Sequence, residues 1–99
     1  MSMIDSKEQV TFELLTLSRE AGEPENPWDK IRNHYFLYYD YGYRTVCVDF
    51  EWERRYSTIY FPTEADVDNA IAEVGIDRII KYYFGITDQE GEPDDGNQD

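Results

Sequence analysis

Residues 35–52 read YFLYYDYGYRTVCVDFEW, and they carry the clearest structural pattern in the chain. An aromatic segment over 35–40 runs into a turn at Tyr41 and Gly42. The apolar side chains of the next segment fall at alternate positions, namely Val46, Val48, Phe50 and Trp52. This period of two is typical of β-strands with one buried face. The stretch therefore predicts an antiparallel β-hairpin.

A third strand is predicted directly after the hairpin. Residues 53–55 would turn the chain, and residues 56–61 alternate again. Ile59 and Phe61 point to one face, and Thr58 and Tyr60 to the other. Together with the hairpin, this segment predicts a three-stranded antiparallel meander that ends at Pro62, since proline cannot donate to a strand ladder.

Helices are predicted on both sides of the meander. Residues 6–21 carry apolar side chains at helical spacing after a capping signal, and the proline-containing residues 23–29 form a loop. Thr63, with Asp66 three residues on, begins a second helix that ends at Gly75. A short third helix runs on to Gly85. The predicted fold class is α+β, in the order α-β-β-β-α-α.

The chain length and the charge of its end predict one domain and a tail. The 99 residues suffice for a single hydrophobic core. Residues 87–99 contain six acidic residues, no basic residue and no large apolar residue. Such a segment cannot offset its ordering entropy. We therefore expect a single α+β domain over 1–86 and a disordered acidic tail over 87–99.

The net charge restricts the possible partners. Nine Lys and Arg face 22 Asp and Glu, which gives a formal charge of −13. Such a protein is repelled by nucleic acid and by anionic membranes and attracted by basic proteins. The N-terminus lacks the apolar core of a signal peptide, no apolar run is long enough to span a membrane, and the single cysteine cannot form an internal disulfide. The sequence thus predicts an intracellular protein.

The sequence contains few of the residues and motifs that are typical of catalytic sites. His34 and Cys47 are the only histidine and cysteine; we expect a surface or capping role for the first and a structural or solvent-facing thiol for the second. No zinc or phosphate-loop motif is present, and the acids from Asp88 onward place Pro93 where a calcium loop needs glycine. We expect no enzyme, no metal and no cofactor. An acidic enzyme would instead need an enclosed pocket with convergent carboxylates.

The arrangement of the acidic residues suggests a binding role. Asp49, Glu51 and Glu53 alternate along the second strand, spaced by roughly 6.7 Å on a solvent face. The second group lies at the start of the second helix and consists of Glu64, Asp66 and Asp68. Rows of like charge can imitate the phosphates of DNA. The alternative is that these acids only keep a tyrosine-rich protein soluble.

Tyrosines are the second feature that suggests binding. Several of the nine lie in or near the hairpin, and a period of two forces some of them onto the exposed face. Tyr is favoured at protein interfaces. Base stacking would need a basic groove, which this chain cannot build. Tyr41 and Tyr43, at the hairpin turn, are therefore candidate partner contacts.

The segment IYFPTEADVDNAIAEVGIDRIIKYYFGI, residues 59–86, resembles the closing segment of small accessory proteins from phages and prophages of Gram-positive bacteria. Proteins of this size and acidity include anti-CRISPR inhibitors of Cas9, some of which imitate DNA. The resemblance implies a phage-encoded inhibitor in the cytoplasm of a bacterial host, whose partner is a basic nucleic-acid-binding protein, namely a Cas nuclease. It carries over no functional residue. The alternatives are an immunity protein or antitoxin that neutralises a basic nuclease toxin, and a virion component whose charge serves solubility.

Overall fold

The computed structural model describes residues 5–23, 28, 29, 31–55 and 57–87, and it shows a mixed fold of helices and antiparallel strands. The elements are α1 (Lys7–Glu20), β1 (His34–Asp40), β2 (Thr45–Glu51), α2 (Glu64–Val74) and α3 (Ile76–Arg78), and a π-helical turn (Ile79–Tyr83) continues α3. The α+β class is as predicted. The acidic segment 88–99, for which a disordered tail is expected, lies outside the described residues.

The hairpin forms at the predicted place. Tyr35 pairs with Phe50 and Leu37 with Val48 in an antiparallel register. One face of the hairpin, which we call the core face, packs on the hydrophobic core, and the opposite one is the outer face. Because side chains alternate, Asp49 and Glu51 project from the outer face. Trp52, which was predicted to extend the apolar face, lies beyond the end of β2 and is exposed.

The predicted third strand is wrong. Among the described residues of 56–61, only Phe61 pairs with the sheet, through two backbone hydrogen bonds to Tyr35. The carbonyl oxygen of Tyr60, just before Phe61, does not pair with a strand, because it accepts a hydrogen bond from the hydroxyl of Ser18 in α1. Pro62 then ends the pairing on the other side. Within the described residues, the sheet therefore has two strands and one isolated bridge at its edge.

The helices form close to their predicted bounds and cover the core face. Ser6 accepts from the backbone N–H of Gln9 at 3.1 Å and begins α1. Thr63 does the same for Asp66 at 3.1 Å and begins α2, so both N-caps satisfy helix-end donors. Helix α2 packs directly on the core face of the hairpin, and α1 packs on α2 and on the π-helical turn. The core consists of the buried side chains Val10, Leu14, Leu37, Phe61, Val67, Ala70, Val74 and Ile79.

A second buried cluster covers one end of the outer face. Trp28 stacks on His34 with ring centroids 3.6 Å apart, and Tyr60 meets the edge of Trp28 at 5.0 Å. Phe36 also contacts Tyr60. His34 is fully buried, so the expectation of a surface or capping histidine is wrong. As predicted, Phe61 and Tyr60 point to opposite faces. Both side chains are buried, because packed residues cover both faces at this end of the hairpin.

Candidate protein-binding surfaces

The hairpin turn presents two tyrosines on a well-defined backbone. The Asp40 carboxylate accepts from the backbone N–H groups of Gly42 at 2.8 Å and Tyr43 at 3.0 Å. Tyr41 and Tyr43 are 76% and 82% exposed, although Tyr41 keeps an edge contact with Tyr39. The turn thus presents two large aromatic side chains to solvent on a backbone that is already ordered.

Two acidic side chains lie near Tyr38 on the outer face. Tyr38 lies on this face, opposite Cys47 in the register. Desolvation of its ring, together with nearby Cys47, Asp40 and Asp49, raises the pKa of Tyr38. Asp49 is exposed. We call Tyr38, Asp40, Tyr41, Tyr43 and Asp49 the hairpin surface.

The predicted row of strand acids is interrupted. Glu51 is only 18% exposed and pairs with Arg55 at 3.2 Å. It also accepts a hydrogen bond from the hydroxyl of Tyr60, and burial together with this bond raises the pKa of Tyr60. Glu53 is exposed but lies in a bend beyond β2. A continuous row over Asp49, Glu51 and Glu53 is therefore wrong, because the middle carboxylate has a structural role.

The helix acids divide between the two flanks of α2. At about 100° per residue, Glu64 and Asp68 share one flank and are exposed. Asp66 and Glu73 share the other flank and line a depression against α1. Since α2 packs on the core face, the helix acids and Asp49 lie on opposite sides of the core. The two predicted groups do not form one surface.

A buried polar cluster lies beside the hairpin. His34 Nδ1 is 2.7 Å from Glu23 Oε2, and its Nε2 is 2.5 Å from the carbonyl oxygen of Asp29. Arg32 contacts the other Glu23 oxygen at 3.1 Å. Both ring nitrogens of His34 therefore have an oxygen partner within hydrogen-bonding distance. The sequence did not predict this cluster, and its one signal was the placement of His34 on the same strand face as Phe36.

An ion-pair cluster connects α3 to α1 and to Asp5, which precedes α1. Arg78 contacts Asp5 at 2.7 Å and Glu13 at 2.8 Å. Hydrogen bonds from Arg78 and then from Gln9 lower the pKa of Glu13 from 4.5 to about 2. The hydrogen bonds to Glu13 and then to Asp5 raise the pKa of Arg78 above its ordinary value. The carboxylates of Asp5 and Glu13 are therefore engaged by Arg78, and their main role is to stabilise the fold.

A cleft of about 320 Å³ lies between α1 and the segment before Phe61. Its one carboxylate is that of Glu23, which is held by His34 and Arg32. Within the described part of the chain, no group of three or more His, Cys, Asp or Glu side chains is placed to hold a metal ion. Nor does any helix in that part have the length and apolarity needed to cross a membrane.

Comparisons with protein-family models, with curated proteins and with solved structures give no significant match. The surfaces are therefore interpreted from their own geometry and charge.

Proposed function

We propose that the protein binds a basic surface of a nucleic-acid-binding protein, and that it is a phage-encoded inhibitor of a Cas nuclease such as Cas9. The observation that carries the proposal is the hairpin surface, where exposed Tyr41 and Tyr43 lie at the turn beside Asp40, and exposed Asp49 projects from the outer face farther along β2. Tyrosines at the centre of an interface supply much of its binding energy. The carboxylates provide steering and complementarity to arginine and lysine.

A Cas nuclease suits this surface chemically. Cas9 holds its guide and target in a positively charged channel and reads its short DNA motif with arginine side chains. An acidic and aromatic hairpin can occupy such a channel in place of DNA. The formal charge of −13 adds long-range attraction that weakens with salt.

The test compares two surfaces on opposite sides of the core. Binding to a guide-loaded Cas9 is measured by calorimetry, and inhibition by DNA cleavage, for Y41A/Y43A, for D49N/E53Q and for the helix variant E64Q/D68N. The expected result is a loss of about tenfold or more in affinity for Y41A/Y43A and for D49N/E53Q, which combines Asp49 of the hairpin surface with exposed Glu53 beyond the end of β2. The helix variant should change affinity by less than about threefold, the size of a long-range charge effect.

The control variant is E8Q/D77N, which removes the same charge from exposed positions away from the hairpin. Equal loss of affinity in all charge variants would show that only net charge matters and would contradict the proposed surface. Absence of binding to the nuclease would contradict the proposed partner. Capture of a nuclease toxin encoded beside this protein would instead support the immunity-protein alternative.

A further inference from the structure

A groove with an apolar floor lies between α1 and α2, on the opposite side of the core from the hairpin surface. Two adjoining depressions of about 300 and 210 Å³ share Leu17, Glu20 and Glu73 in their walls. Leu17, Ala70 and Val74 supply apolar lining. Phe12 forms one edge and is 63% exposed. Together with the apolar floor, the exposed ring of Phe12 forms a contiguous apolar area rimmed by polar residues, which is the pattern of an interaction site.

The polar lining of the groove is negative. No lysine or arginine among the described residues lines either depression. Glu20 and Glu73 are exposed and have no ion-pair partner in the described part of the chain. Arg78, which lies near one end, is held by Asp5 and Glu13. A partner therefore meets two uncompensated carboxylates above an apolar floor.

The positions of these acids are unfavourable for helix stability. Glu20 is the last residue of α1, and Glu73 is the penultimate residue of α2, whose last turn has no basic residue. The C-terminal end of a helix carries partial negative charge, so acids there are destabilising. Solubility would be served equally well by acids near the N-terminal ends. The placement is explained if these carboxylates contact a cation that binds from outside.

We propose that this groove binds a lysine- and arginine-rich amphipathic helix of a protein partner. Apolar side chains of such a helix, spaced by three and four residues, would pack on Leu17, Val74 and Phe12. Its basic side chains would reach Glu20 and Glu73 on either rim. Nucleic acid is repelled by the same carboxylates. A second copy of this chain would bring further negative charge to the groove and is disfavoured for that reason. The inference does not depend on the nuclease proposal.

The test uses a synthetic leucine–lysine peptide of about 15 residues, long enough to form a helix on binding. Its control has the same composition in an order that has no apolar face. The peptides are titrated into the full-length ¹⁵N-labelled protein, and amide shifts and dissociation constants are measured. We expect saturable shifts at residues of the groove, binding about tenfold tighter for the amphipathic peptide, and a weakening of about fivefold in both E20Q/E73Q and F12A.

The charge-matched variant E8Q/D77N should retain binding within about twofold, since both positions lie outside the groove. Equal binding of the two peptides, or equal weakening by both charge variants, would overturn the inference and leave non-specific attraction. Shifts confined to the hairpin would overturn it as well. Concentration-dependent self-association in sedimentation experiments, abolished by F12A, would assign the groove to a second copy and also contradict the proposed partner.

Discussion

Neutralising Glu13 tests whether the ion-pair cluster around Arg78 stabilises the fold. In Glu13→Gln the side chain keeps its shape but loses its charge. A pKa lowered from 4.5 to about 2 corresponds to at most about 3.4 kcal/mol of folding free energy at neutral pH. Glu13, Arg78 and Asp5 remain 24%, 28% and 35% exposed, so solvent screening reduces the expected loss to about 1–2 kcal/mol.

The difference in unfolding free energy between the wild type and E13Q should depend on pH. Because the folded-state pKa of Glu13 lies below the unfolded value of 4.5, its contribution is complete above pH 4.5 and disappears as the pH falls toward 2. The difference in unfolding free energy between the wild type and E13Q should therefore be full at pH 7 and nearly absent at pH 2. The other carboxylates titrate in both proteins, so the difference isolates Glu13.

The assay is urea denaturation followed by tryptophan fluorescence at several pH values between 2 and 7. Glu8→Gln is the control, since Glu8 is an exposed acid on the same helix. It should cost only a few tenths of a kcal/mol through the helix dipole. Equal stability of E13Q and wild type at pH 7 would refute the reasoning. So would a difference that persists unchanged at pH 2, because that would place the effect in packing and not in charge.

Three further substitutions address other parts of the fold by the same denaturation assay. Ser18→Ala removes the donor to the Tyr60 carbonyl and should cost about 1–3 kcal/mol, whereas a loss below about 0.5 would mean that water replaces the hydroxyl. Glu23→Ala leaves His34 and Arg32 without their shared carboxylate and should cost about 3 kcal/mol; a neutral effect would contradict the buried pairing. Gly75→Ala places a side chain at φ +105° and should cost about 1–3 kcal/mol from backbone strain alone, since the nearest neighbouring atom to the added Cβ lies 3.8 Å away.

The hairpin and the helix starts could be predicted from sequence because their signals are local. Alternation over β2 and the side-chain caps at Ser6 and Thr63 involve residues a few positions apart. The third strand failed because its outcome depends on Ser18, which is 42 residues from Tyr60 in sequence. Residues 57–60 have the alternation of a strand, but a side chain of α1 takes the backbone acceptor that a strand would need.

The candidate surfaces could be predicted only in part from the sequence, for a similar reason. Exposure of Tyr41 and Tyr43 follows from their place in a turn, which the sequence indicated. The spacing of Asp66 and Glu73, seven residues apart, already put them on one flank of α2. That this flank faces Glu20 across a groove depends on how α1 and α2 pack, and no local pattern specifies that packing.

The total charge is a weaker guide to function than the subset of acids that the fold leaves unpaired. Asp5, Glu13, Glu23 and Glu51 each hold a basic side chain within the fold. Their charges are compensated locally, and removing them should change stability before it changes binding. Asp49 on the hairpin surface and Glu20 and Glu73 on the groove remain open to solvent. Because these two sets lie on opposite sides of the core, charge-neutralising variants at each can separate a role in binding from a general role in solubility.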